Sequence, residues 1–204
     1  DEDFGSVAED MRAAAVAGDV LGVRAAAREL SERGGVEGIS PEARPLLVEL
    51  RRTARAIEGE TDPVEAFRMT AALARRCGAC HGEVGADALS LHSRGERSDV
   101  PASHEARLTW AVSRLWDGLA GPSDAAWRAG ASAVADSAAF GSAFRRRLGD
   151  PGGADVALER LERLSRAAKE ASAGSEERTR VLGEVVATCA GCHAAEVGVR
   201  RWMR

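Results

Sequence analysis

Apolar residues recur at steps of three and four positions along most of this chain, and polar or small residues fill the positions between them. This spacing is typical of amphipathic helices that bury one face. N-cap side chains and helix-ending glycines divide the first half into four such helices. The predicted starts are Ser6, Asp19, Ser40 and Asp62, and the first two helices are predicted to end at Gly18 and Gly34.

The second half repeats this plan. Its four helices are predicted to start at Ser103, Ser123, about Ala154 and Ser175. The first of them ends at Gly121, so the turn at residues 17–19 corresponds to the turn at residues 120–122. Similar spacing in both halves indicates a repeated unit. The sequence therefore predicts an all-α protein of two tandem four-helix bundles.

The segment between the two halves is polar and only weakly periodic. We expect a first domain at residues 1–88, a linker at 89–102 and a second domain at 103–204. A further loose segment is expected at residues 140–153, because glycine and proline are concentrated at its end. It would join the second and third helices of the second half.

The pentapeptide Cys-x-x-Cys-His occurs once near the end of each half, and the two copies contain all four cysteines of the chain. Two thiols three positions apart lie on one face of a helix, where they can form thioether bonds to the two vinyl groups of one haem. The attachment residues are Cys77, Cys80, Cys189 and Cys192. The histidine that follows each pair is placed to bind the iron, so His81 and His193 are the predicted proximal ligands. The sequence thus predicts two covalently bound haem c groups.

Other uses of the cysteines are open at this point. A four-cysteine zinc site favours pairs separated by roughly 15 to 20 residues, whereas these pairs stand at Cys77 and Cys189. A thioredoxin-like redox pair needs a strand-helix-strand setting, and the flanks here look helical. Two disulfides remain an alternative, although they give the two histidines no role.

Composition limits the partners of the chain. The formal net charge is −4, and no strongly basic segment suggests a nucleic-acid partner. No apolar run reaches the ~20 residues that a membrane-spanning helix needs. Only four phenylalanines and four tryptophans are present, so a large apolar cofactor would take over part of the core. Because the chain begins at Asp1, we interpret it as a mature form whose targeting segment has been removed.

The helix count and the position of each motif resemble the class II c-type cytochromes, the cytochrome c′ group. In that group an antiparallel four-helix bundle binds haem through Cys-x-x-Cys-His on its last helix, and here the resemblance covers both halves as a tandem fusion. One departure is that small and apolar residues follow His81 and His193, where cytochromes c′ commonly carry a basic residue. The resemblance implies haem attachment outside the cytoplasmic membrane, hence a periplasmic or extracellular location.

The sixth iron ligand decides between electron transfer and gas binding. In the first half the inward stripe of the first helix holds Met11, which is a candidate ligand and would resemble the low-spin members of class II. In the second half the corresponding stripe begins at His104 and contains no methionine. His104 is therefore a second candidate, and without it Leu108 or Leu115 would cover an open axial position.

These features predict a dihaem cytochrome that transfers electrons between redox partner proteins, and no enzymatic activity is expected. The alternative is a haem-based sensor or binder of nitric oxide or carbon monoxide that uses a five-coordinate iron. A small peroxidase-like enzyme is a third possibility, for which His104 would supply the distal base.

Overall fold

The fold was obtained as a computed structural model, which describes residues 4–33, 39–83, 85, 100–101, 103–138, 151–171 and 176–202. The described residues form eight α-helices and no strand, so the predicted all-α class is confirmed. In chain order the helices are α1 (Phe4–Ala17), α2 (Val20–Glu32), α3 (Arg44–Gly59), α4 (Pro63–Glu83), α5 (His104–Ala120), α6 (Asp124–Ala138), α7 (Pro151–Glu170) and α8 (Glu176–Trp202).

The predicted caps account for most helix starts. The Asp19 carboxylate accepts a hydrogen bond from the Gly22 N–H at 3.0 Å, which satisfies a free donor at the start of α2. Ser103 and Ser123 cap α5 and α6 in the same way through their hydroxyl oxygens. Gly18 ends α1 in a left-handed conformation with φ of 73°, which explains a glycine at this turn.

Some boundaries differ from the sequence prediction. Helix α1 begins at Phe4, before Ser6, and α7 begins at Pro151 although a loose segment was expected up to residue 153. Proline is tolerated in the first turn because its missing N–H would have no partner there. Helix α3 starts at Arg44, four residues after the predicted start at Ser40, and holds Pro45 in its first turn. Gly34, Ser175, the segment 140–150 and most of the expected linker lie outside the described residues.

A single hydrophobic cluster connects all eight helices. Within each half, consecutive helices pack against one another, and α4 also packs along α8, so the two motif-bearing helices lie side by side. This continuity places side chains from both halves in one core. The division into two bundles remains a prediction.

Trp127 contacts two neighbouring helices of the second half. Its ring is 1% exposed, and its indole N–H donates a hydrogen bond to the Ala168 carbonyl at 2.8 Å, linking α6 to α7. The guanidinium of Arg178, on α8, lies 4.9 Å from the ring centroid and forms an ion pair with Asp124 at 2.8 Å. A buried arginine needs such a charged partner. Three helices are thereby joined at the start of α8.

Candidate haem attachment sites

The first Cys-x-x-Cys-His motif occupies the last turns of α4. Cys77 and Cys80 are both half-buried and stand one helical turn apart, as thioether attachment requires. Between them, Gly78 contacts the end of α5: a Cβ built at Gly78 would run into the backbone oxygen of Leu119 and lie 3.1 Å from its carbonyl carbon. Only glycine allows this close approach of α4 to the α5–α6 turn.

His81 is oriented by the same turn. Its Nδ1 lies 2.6 Å from the carbonyl oxygen of Ala120, the last residue of α5. Because a carbonyl can only accept a hydrogen bond, Nδ1 carries the proton and donates it. In the neutral imidazole, the other ring nitrogen, Nε2, then has a lone pair for a metal ion. This is the arrangement that commonly orients a metal-bound histidine and fixes its tautomer.

The second motif lies within α8, which continues for nine residues beyond His193 to Trp202. Cys189 is 8% exposed, whereas Cys192 and His193 are half-buried. This motif packs against the α1–α2 turn: a Cβ built at Gly18 would lie 3.1 Å from the Ala190 oxygen and 3.5 Å from the His193 Cβ. The left-handed backbone and the close approach both favour glycine at position 18.

The two motifs therefore make crossed contacts. The first motif touches the α5–α6 turn of the second half, and the second motif touches the α1–α2 turn of the first half. These turns occupy corresponding positions in the repeat, since α1 ends before Gly18 and α5 ends before Gly121. The spacing of residues along the chain did not predict this exchange.

Helices α4 and α8 run antiparallel. Arg68 pairs with Glu184 at 2.8 Å, and Arg75, further along α4, pairs with Glu176, which lies earlier in α8. The backbone of Gly183 approaches that of Arg68 closely, since a Cβ at Gly183 would lie 3.0 Å from the Arg68 oxygen. The two motifs consequently lie toward opposite ends of the helix pair.

Their separation follows from this register. Cys77 lies nine residues beyond Arg68, and Cys189 lies five residues beyond Glu184 in the opposite direction. At 1.5 Å of rise per residue, the motifs are about 20 Å apart along the helix pair. One zinc ion binds cysteine sulfur at about 2.3 Å, so the four cysteines cannot share a single zinc site.

The pKa values of the thiols bear on whether either cysteine pair is a thioredoxin-like redox pair. Burial, and secondarily the neighbouring thiol of the pair, raises the pKa of Cys77 and of Cys189 to about 12. Burial likewise raises the pKa of Cys80 and Cys192. A redox-active Cys-x-x-Cys pair instead has a lowered thiol pKa, which makes it a nucleophile. All four cysteines are described, and no disulfide bond joins any two of them.

The structure describes the side chain of only one of the two candidate distal ligands. Met11 is fully buried in the common core, as its place on the inward stripe of α1 predicts. His104 is the first residue of α5, but its side chain lies outside the described part of the structure. Further along α5, Ala111 and Leu115 are fully buried, as expected for its inward face.

A polar cluster between α1 and α5 was missed by sequence analysis. Arg12 on α1 donates hydrogen bonds to Glu9 and to Ser113 on α5, and Arg114 forms an ion pair with Asp117. The pKa of Asp117 is raised to about 6, chiefly by burial and in smaller part by the charge of Glu9, while Arg114 and Arg12 oppose the shift. The spacing of Arg114 and Asp117 allowed a pair on one helix, but nothing in the sequence indicated its burial beside α1.

Among the described helices, none is long and apolar enough to cross a membrane. Within the same residues, no group of three or more His, Cys, Asp or Glu side chains converges as a metal site would require. No protein-family model, curated protein or solved structure matches the chain.

Proposed function

We propose that the chain is a dihaem c-type cytochrome that carries electrons between redox partner proteins. The observation that supports this most strongly is the hydrogen bond from His81 Nδ1 to the Ala120 carbonyl, because it prepares Nε2 as an iron ligand one residue after a pair of cysteines. Cys77 and Cys80 would hold one haem, and Cys189 and Cys192 would hold the other, with His193 as the second proximal ligand.

The haem groups would supply one-electron chemistry at iron. The protein would hold each group by two thioether bonds, orient each proximal imidazole and shield the sites from water. Because Cys189 is buried, its thioether bond would lie inside the packed helices. The two surroundings differ, so the two irons are expected to have unequal reduction potentials.

The finer architecture is part of the same proposal. Each set of four helices, α1–α4 and α5–α8, would be one cytochrome c′-like unit that ends in a haem-binding helix. Since c-type haem attachment in the class that this chain resembles takes place outside the cytoplasmic membrane, a periplasmic or extracellular location is proposed.

Paired cysteine substitutions test the function. The chain is produced in a host that attaches haem c, and bound haem is quantified per polypeptide from its optical spectrum. The double variants Cys77→Ala/Cys80→Ala and Cys189→Ala/Cys192→Ala should each retain one haem of two. Gly82→Ala is the control, because an added Cβ at this position after His81 meets no atom within 4 Å. Full haem content in either double variant, or none in the unmodified chain, would contradict the proposal.

Gas binding is the second candidate function. Helix α5, the first helix of the second half, buries Ala111 and Leu115 and has no methionine in its sequence. Alanine and leucine cannot bind iron, so α5 itself offers no ligand over most of its buried face. An iron left five-coordinate in this way would bind carbon monoxide or nitric oxide.

A further inference from the structure

Two turns of the chain touch the two Cys-x-x-Cys-His motifs. We infer, on the basis of the proposed haem function, that a turn of the opposite half positions each haem's proximal histidine. The α5–α6 turn (residues 120–123) would be the positioning element for His81, and the α1–α2 turn (residues 17–19) would be that for His193. Each half would thus tune the haem of the other half through its proximal side.

The first arm of this exchange is a direct hydrogen bond. His81 belongs to α4, but the acceptor of its Nδ1–H is the Ala120 carbonyl at the end of α5, 2.6 Å away. A hydrogen bond at Nδ1 makes the imidazole more basic, and a more basic axial ligand stabilises oxidised iron. The potential of the first haem therefore depends on where the second half holds this carbonyl.

Packing fixes the position of the carbonyl. Leu119 and Ala120 are 6% and 5% exposed, and the Leu119 backbone rests directly on Gly78. Pro122 completes the contact, with its Cδ 3.6 Å from the position of a Cβ at Gly78. Because proline fixes its own φ, Pro122 stiffens the turn between α5 and the Ser123 cap of α6. The contact of Leu119 with Gly78 and the stiffness of Pro122 therefore hold the turn against the first motif.

The second arm is a packing contact in the corresponding place. Gly18 stands where Gly121 stands in the second half, and its backbone lies against Ala190 and His193 of the second motif. A methyl group at Gly18 would press on the Ala190 oxygen and would also strain a backbone with φ of 73°. Substitutions in either turn should therefore alter the surroundings of the haem that the other half binds.

The experiment uses two turn variants of the full chain, Pro122→Gly and Gly18→Ala. Each is made in both single-haem backgrounds, Cys189→Ala/Cys192→Ala and Cys77→Ala/Cys80→Ala, so that every measurement reports one haem. The readouts are the reduction potential and the iron–histidine stretching frequency of the reduced haem. A turn that acted only through overall stability would not move this frequency selectively.

A crossed pattern is expected. Pro122→Gly should raise the potential and lower the iron–histidine frequency of the first haem, and leave the second haem unchanged. Gly18→Ala should shift both quantities for the second haem alone. Effects confined to the haem of the same half, or no effect on either haem, would overturn the inference.

Two further variants guard against loss of folding. Gly78→Ala should displace the Leu119 backbone and alter the first haem in the same direction as Pro122→Gly, while Gly82→Ala should leave it unchanged because its surroundings are open. Helix content by circular dichroism identifies any variant that has unfolded. Haem content separates the two claims: attached haem without the crossed pattern contradicts this inference alone, whereas absence of attached haem contradicts the proposed function itself.

Discussion

His81 and Ala120 belong to opposite halves of the chain, and the histidine Nδ1 donates a hydrogen bond to the alanine carbonyl at 2.6 Å. This bond fixes the tautomer of the ring and leaves Nε2 free to bind a metal ion. It also connects the motif-bearing helix α4 to the end of α5, so the first candidate site is made by both halves.

Met11 gives the first prediction. It is fully buried on α1, where a thioether sulfur could serve as a sixth ligand. We expect the oxidised protein to show a weak near-infrared sulfur-to-iron band, and Met11→Leu to abolish it while nearly preserving core volume. Met69→Leu, which changes a partly buried methionine on α4, is the control and should keep the band. A band that survives in Met11→Leu would refute the ligand assignment.

Carbon monoxide gives the second prediction. The buried face of α5 offers Ala111 and Leu115, neither of which binds iron, so one haem is expected to keep an open axial position. The reduced protein should therefore bind carbon monoxide at about one haem in two, measured by the shift of its visible spectrum. An unchanged spectrum would mean that both irons are six-coordinate, which would remove the gas-binding function.

Asp117 should make stability depend on pH. Its folded pKa is raised from a usual value of 3.8 to about 6, chiefly by burial and in smaller part by Glu9, against the opposing effects of Arg114 and Arg12. An acid with a raised folded pKa binds more protons in the folded state, so stability falls as pH rises from about 4 to about 6. The full shift corresponds to about 3 kcal/mol.

Asp117→Asn removes this titration. We expect the free energy of unfolding of the variant, relative to that of the unmodified protein, to increase between pH 4 and pH 6 by up to about 3 kcal/mol. Urea unfolding at several pH values measures the difference. A constant difference across this range would show that Asp117 titrates normally.

Glu184 should make stability rise, rather than fall, as the pH increases. It joins three helices by pairing with Arg68 and Arg160. Burial alone would raise its pKa, but the hydrogen bonds and charges of Arg160 and Arg68 outweigh burial and lower it. The stabilisation is therefore complete above the unfolded pKa of about 4.3 and is lost as pH falls through the folded pKa.

Glu184→Gln is expected to cost about 1 to 2 kcal/mol at pH 7, with a smaller cost at pH 3. Glu162→Gln is a matched control, since Glu162 forms an exposed pair with Arg166 within one helix and should change stability little. Equal effects of the two substitutions at pH 7 would argue against the interhelical role of Glu184.

The fold class and most helix starts could be predicted because they depend on local chemistry. Asp19, Ser103 and Ser123 each accept a hydrogen bond from a backbone N–H three residues ahead, and such contacts are visible in sequence spacing. Glycine at position 18 also marked the end of α1.

The crossed contacts could not be predicted, because they join residues far apart in sequence through the backbone. The acceptor for His81 is a carbonyl, which every residue carries, so Ala120 has no distinguishing side chain. Gly78 occupies a variable position of its motif, and its contact with Leu119 depends on how α4 meets α5. The burial of Asp117 likewise depends on the packing of α1 against α5.

The central claim is that two haem groups are bonded through sulfur to one polypeptide. The direct test is the intact mass of the purified chain, measured under denaturing conditions after production in a host that matures c-type cytochromes. We predict the mass of the polypeptide plus two haem groups, retained after unfolding because thioether bonds do not dissociate. The mass of the bare polypeptide would contradict the account.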